Sequence, residues 1–198
     1  AGRFNIYNTL GAIGAALNEG ISMDDAIEAV KDFQSVPGRF ELIDEGQSFA
    51  VVVDYAHTPD GLEKILGTAR EITEGKIIAV FGCGGDRDRM KRPIMGSIAA
   101  EHADISIVTS DNPRTEDPEK IIEDVVVGVE KVKKNKPDLY YEVIADRRQA
   151  IKRAVSLAKD DDIVIIAGKG HEDYQILKDR TIHFDDREEA RNALKEVK

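Results

Sequence analysis

Two periodicities divide the chain. Over residues 4 to about 33, apolar positions recur at helical spacing (Leu10, Ile13, Leu17 and Ile21), and nothing alternates as a strand does. Gly20 is placed to stop a first helix, and Ser22 to cap a second ahead of Met23-Asp24-Asp25. Alone, the pair can bury little. Gln34-Ser35-Val36-Pro37-Gly38 then interrupts both periodicities and is the best linker. Beyond it, Phe40–Ile43 and Phe49–Val53 read as a hairpin closed by Asp44-Glu45-Gly46-Gln47-Ser48. From Asp60 the patterns alternate: helix about 60–73, strand 76–81, helix 94–102, strand 105–109, helix 118–132, strand 140–144, helix 147–159, strand 163–167. Pro93 is suited to open the 94–102 helix. A strand near 181–184 precedes a last helix opened by Asp185 and Glu188, spaced like a capping box.

Runs such as Ile163-Val164-Ile165-Ile166-Ala167 are apolar on both faces, as strands covered by helices on both sides must be. The alternation therefore predicts a doubly wound α/β domain with a mostly parallel sheet. In such a sheet, ligands bind in the crevice outside the carboxyl ends of the strands. Four polar clusters follow β-like runs: Asp54–Pro59, Gly82–Asp88, Asp111–Arg114 and Gly168–Glu172. Together they suggest one site built along one rim.

Each cluster limits the chemistry. Gly82-Cys83-Gly84 opens like a dinucleotide fingerprint, but Arg87 stands where the third glycine belongs, so a nicotinamide enzyme is disfavoured. What remains is a loop of exposed backbone N–H groups followed by Arg87, Arg89, Lys91 and Arg92, expected to form a local anion pocket or a solvated loop. Asp111-Asn112-Pro113-Arg114 joins a stiff turn to a carboxylate, an amide and a guanidinium. Arg can hold a carboxylate through two parallel bonds while Asp holds an ammonium, which suits the zwitterionic end of an amino acid. The bland alternative is that Asp111 and Asn112 only make the turn. In Gly168-Lys169-Gly170-His171-Glu172, the glycines are expected to let a ligand approach the backbone, and Glu172 to take a second ammonium. No G-x-x-x-x-G-K followed by Ser or Thr occurs in the chain. Asp54 could accept from a ribose hydroxyl, while His57 reads equally as a hydrogen-bonded structural histidine.

At 198 residues the chain can bury a full core. A net charge of -10 argues against a nucleic-acid partner, because phosphate-backbone affinity comes mainly from excess Lys and Arg. No apolar run approaches the ~20 residues needed to span a bilayer. With Cys83 alone, no internal disulfide forms, which fits a cytoplasmic location. The chain opens at Ala1-Gly2-Arg3 without methionine, as a piece of a longer polypeptide would.

Seven strings resemble the Mur ligases of peptidoglycan synthesis, in family order: Gly2–Asn8, Gly38–Glu41, Asp54–Pro59, Gly82–Asp88, Lys91–Pro93, Asp111–Arg114 and Gly168–Tyr174. The Asp-Asn-Pro-Arg signature is that of members adding meso-diaminopimelate. The resemblance implies that residues 1–36 are the helical tail of the central ATPase domain. Residues 37–198 would be the C-terminal Rossmann-like domain, with a six-stranded sheet containing one antiparallel strand. It further implies that Arg87, Asp111, Asn112, Pro113, Arg114, Gly168 and Glu172 hold meso-diaminopimelate, and that Asn8, Arg39, Asp54 and His57 contact ATP, with Asp54 on the ribose. No catalytic residue and no metal ligand is expected here. Mg2+ ligands, the P-loop and the site for the UDP-N-acetylmuramoyl dipeptide would lie in other domains, so this chain alone, a monomer, would not turn over. A non-catalytic amino-acid-binding module and another Mur or folylpolyglutamate-type ligase are the alternatives.

Overall fold

The computed structural model describes residues 3–33 and 36–197. Gln34 and Ser35 of the expected linker, and Gly2 of the first matching string, lie outside them. The chain divides into two compact units, one ending at Val36 and the other starting at Pro37. The first contains α1 (Arg3–Asn18) and α2 (Met23–Asp32). Gly20 ends the first helix with φ +86, and the Ser22 hydroxyl caps the second by accepting from the Asp25 N–H at 3.1 Å. Of this unit's described residues only Ala26 is buried, while Leu10, Leu17 and Ile21 stay exposed.

The second unit is built on a six-stranded sheet. Its strands are β1 (Glu41–Leu42), β2 (Ala50–Asp54), β3 (Ile77–Phe81), β4 (Ile105–Val108), β5 (Tyr140–Val143) and β6 (Ile163–Ala167), ordered β1-β2-β6-β3-β4-β5. Only β1 runs antiparallel, pairing Glu41 with Val53 and Leu42 with Val52. Side-chain alternation feeds two cores. Ile163, Ile165 and Ala167 of β6 join Ile77, Ala79 and Phe81 of β3 under α3 (Pro59–Ile72), α4 (Lys91–His102) and α5 (Pro118–Lys133). Val164, Ile166, Ile78 and Val80 face α6 (Arg147–Leu157) and α7 (Asp186–Glu196) on the other side. That two-sided burial is why these strands read as unbroken apolar runs.

Two helix starts differ from expectation. α4 begins at Lys91, with Pro93 inside its first turn; first-turn N–H groups have no intrahelical partner, so proline is tolerated there. At α7, Asp185 caps as expected by accepting from the Arg187 N–H at 2.8 Å, but Glu188 turns to His183 at 2.7 Å. The strand expected near 181–184 does not join the main sheet. It is β8 (Thr181–His183), paired antiparallel with β7 (Tyr174–Ile176), a strand too short for its alternation to register in the sequence. Among the described residues no helix is long and apolar enough to cross a membrane.

Candidate functional site

β2, β6, β3 and β4 are parallel neighbours, so the four polar clusters leave the sheet side by side along one rim. Their loops are tied more to one another than to solvent. The Gly85 N–H donates to the Asn112 carbonyl at 2.9 Å, and the Asp86 N–H to Glu116 Oε1 at 2.6 Å. The expected loop of exposed N–H groups is therefore corrected at both positions, because the neighbouring loop consumes the donors. The contact requires glycine. A Cβ on Gly85 would lie 2.8 Å from the Pro113 carbonyl carbon and closer still to its oxygen.

The expected cluster of four cations also resolves into pairs. Arg92 is 1% exposed and meets Glu116 at 2.8 Å and Asp124 at 2.9 Å. Arg89 meets Glu116 at 3.0 Å, and Lys91 donates to the His57 carbonyl at 2.9 Å. The Arg92 guanidinium holds the Glu116 carboxyl down to about 2. Arg87 and Arg89 both remain exposed, and Arg87 forms no ion pair with Glu116 but donates to the Asp86 carbonyl at 3.0 Å. Glu116, which no motif flagged, is the clamp between these two loops.

At Asp111–Arg114 the turn is buried up to Pro113. Asn112 Oδ1 accepts from Lys169 Nζ at 3.0 Å and from the Ile176 N–H at 2.9 Å, while its Nδ2 donates to Glu172 at 3.0 Å. Lys169 is fully buried. Its ammonium also reaches the Tyr174 carbonyl at 2.7 Å, Asp111 at 3.6 Å and Glu172 at 3.9 Å. Burial pulls the Lys169 pKa down against the attraction of Asp111. Lys169 is thus a structural hub at the back of the site.

Arg114 is half-buried in a left-handed conformation, φ +53, uncommon for a side chain of this size. Its N–H donates to the Ile176 carbonyl, and Nη1 to the carbonyls of Gly85 at 3.0 Å and Asn112 at 3.3 Å. The space beside Gly84 lies 2.8 Å from Arg114 Nη1 and 3.8 Å from Arg87 Cγ, so these two side chains are neighbours. Tyr174 also stands at this mouth, its hydroxyl pKa raised by Glu172. Sequence patterns gave Tyr174 no role.

The Cβ sides of the glycines in Gly168–Glu172 are filled by the protein's own atoms. Gly168 has φ +127, and a Cβ there would meet Asp111 Oδ2 at 2.9 Å. Gly170 packs on Gly38 and Tyr55.

On the β2 side, Asp54 accepts from the N–H groups of Phe40 and Ala56, both at 2.8 Å, and burial raises its pKa. His57 is exposed, its Nδ1 2.9 Å from the Tyr55 carbonyl. The Arg39 guanidinium lies 5.1 Å from the Tyr55 ring centroid, and the rings of His57 and His171 flank the same tyrosine at 4.6 and 5.2 Å. Asn8 is an exposed residue of α1 in the first unit. Among the described residues no three His, Cys, Asp or Glu side chains gather as a protein-only metal site needs. Cys83 is buried against Met95, and burial pushes its thiol up to about 12.

Known proteins resemble this chain. The chain is 56% identical over 198 residues to the UDP-N-acetylmuramoyl-L-alanyl-D-glutamate--2,6-diaminopimelate ligase of Clostridium botulinum, covering 99% of this chain and 40% of that protein. It is 55% identical over 194 residues to the enzyme of the same name from Syntrophomonas wolfei, of which it covers 39%. The chain thus spans about 40% of the length of the curated relatives it matches. A solved structure of a ligase of that name superposes with a TM-score of 0.77 at 42% identity, over 99% of this chain and 39% of the other. The UDP-N-acetylmuramate-alanine ligase of Thermotoga maritima shares the fold, with a TM-score of 0.64 at 20% identity, over 100% of this chain and 38% of that one. The family description "Mur ligase, glutamate ligase domain" matches residues 38–170, and with these relatives it establishes that the chain belongs to the Mur ligase family.

Proposed function

We propose that this chain is the amino-acid-binding part of a ligase that joins meso-diaminopimelate to UDP-N-acetylmuramoyl-L-alanyl-D-glutamate, using ATP. The relatives' names supply the substrates, and the charge arrangement of the rim supports the choice. The buried carboxylates Asp111 and Asp186 and the partly buried Glu172 surround the cations Lys169 and Arg147, three negative charges against two positive, which suits a ligand ammonium. In front of them stand Arg114 and, with its Cγ on the other side of the space beside Gly84, Arg87, whose guanidiniums are suited to carboxylates. The observation that carries the reading is this pairing of an anionic floor with a cationic mouth.

In the reaction, the D-glutamyl carboxylate accepts the γ-phosphoryl group of ATP. The amine then attacks the carbonyl carbon, phosphate leaves and the new amide sheds a proton. This chain's share is to hold the amine in line, a contribution that can reach several kcal/mol. Residues 1–36 would belong with the ATP-handling domain, and Asn8, Arg39, Asp54 and His57 would contact the nucleotide. Asn112 acts here through Lys169 and Glu172, as the frame of the ammonium site. Pro113 stiffens the turn that aims Arg114.

Selectivity over lysine follows from Arg114. Lysine lacks the distal carboxylate and would leave this guanidinium without its partner, at a cost of about 2–5 kcal/mol when buried. Because Nη1 already has two carbonyl partners, the low end applies, about 2–3 kcal/mol or roughly 30- to 150-fold. In the full-length protein, Arg114→Ala should raise KM for meso-diaminopimelate by about that factor and leave KM for ATP within about two-fold. Equal changes in both constants would overturn the assignment.

A further inference from the structure

Arg147 follows the Asp146 cap of α6, yet is 1% exposed. Its Nε and Nη2 clasp Asp186 at 2.8 and 2.7 Å, with both side chains fully buried. The same Nη2 donates to the Ala167 carbonyl at 3.0 Å, at the end of β6. Nη1 is buried without a hydrogen-bond partner. Such a pair is weak evidence of a stabilising role, since desolvation cancels most of the attraction, and the orphaned donor adds a further penalty. Stability alone does not explain a guanidinium here.

What lies in front of it does. Ala167 leads into Gly168, and the point where a Gly168 Cβ would sit is 3.7 Å from Arg147 Nη2 and 2.9 Å from Asp111 Oδ2. The guanidinium and the Asp111 carboxylate therefore meet across Gly168. Burial opposes the Arg147 charge, but Asp186, with Asp111 and Glu172 behind it, outweighs burial and raises its pKa above the ordinary value.

We infer that Arg147 is a positioning residue for the amino-acid site. Gripped by Asp186, it fixes the end of β6 and backs the Asp111 carboxylate, so the ammonium-binding groups are in place before the ligand arrives. The inference rests on the proposed reading of the rim as an amino-acid site.

The test replaces both members of the pair, Arg147→Met with Asp186→Leu, in the full-length protein. Exchanging a buried ion pair for apolar side chains of similar volume is often neutral or stabilising, so the fold should survive. Thermal unfolding should shift little, while KM for meso-diaminopimelate rises on the order of 100-fold, as a displacement of about 1 Å can cause, and KM for ATP stays within about two-fold. Arg147→Lys keeps the charge but lacks the fork that reaches Asp186 and the Ala167 carbonyl together, so it should show the same split. If the double variant fails to fold, the lysine variant decides. Wild-type KM for the amino acid in a folded variant, or a parallel rise in both constants, overturns the inference. If wild-type protein does not use meso-diaminopimelate, the functional reading fails instead. A crystal structure of the variant then decides: Gly168 and Asp111 in their present places overturns the inference, and their displacement supports it.

Discussion

Asn112→Ala would remove three hydrogen bonds from the rim. Lys169 Nζ and the Ile176 N–H would lose their shared acceptor, at 3.0 and 2.9 Å, and Glu172 would lose a donor at 3.0 Å. The neutral bond contributes about 1 kcal/mol and each charge-assisted bond about 1.5 kcal/mol at the low end, about 4 kcal/mol together. The low end suits Glu172, whose side chain is 18% exposed. For Lys169 it is conservative, because the buried ammonium keeps only Tyr174, Asp111 and a more distant Glu172. Domains of this kind are held by roughly 5–15 kcal/mol, so the loss is a large fraction. At about 2–4 °C per kcal/mol for a chain this long, Tm should fall by roughly 10 °C. Thermal unfolding followed by circular dichroism would measure it, beside Arg87→Ala, an exposed change expected to stay within about 0.5 kcal/mol. A Tm for Asn112→Ala within about 2 °C of wild type would refute the framing role and return Asn112 to a direct ligand contact.

Two further outcomes follow from the loop contacts. Glu116 has its folded pKa at about 2, below the ordinary 4.5, so its stabilisation is complete above about pH 4.5 and is lost as pH falls from there toward 2. Wild type should therefore lose stability more steeply than Glu116→Gln across that window; parallel melting curves would count against the clamp. Gly85→Ala should destabilise by about 1–3 kcal/mol by forcing two backbones apart. Gly67→Ala, in α3 with nothing within 4 Å, should be neutral or stabilising by up to about 1 kcal/mol. Similar melting temperatures for the two would remove the close-approach argument.

Local signals determined much of this protein. Gly20, Ser22 and Asp185 mark helix boundaries through groups only a few residues away, and the apolar runs of β3 and β6 announce burial on both faces. The ordered polar strings at the strand ends were enough to suggest the family, and they sit together because parallel strands expose their carboxyl ends on one side. Tertiary structure alone decided what those strings do. It inserted β6 between β2 and β3, consumed the N–H groups of Gly85 and Asp86, paired Arg89 and Arg92 with Glu116, and buried Lys169 behind Asn112. It also set Arg147 behind Asp111. Periodicity and capping act within a turn or a strand, whereas Asn112 and Lys169 are 57 residues apart, and no local pattern says which charge will meet which.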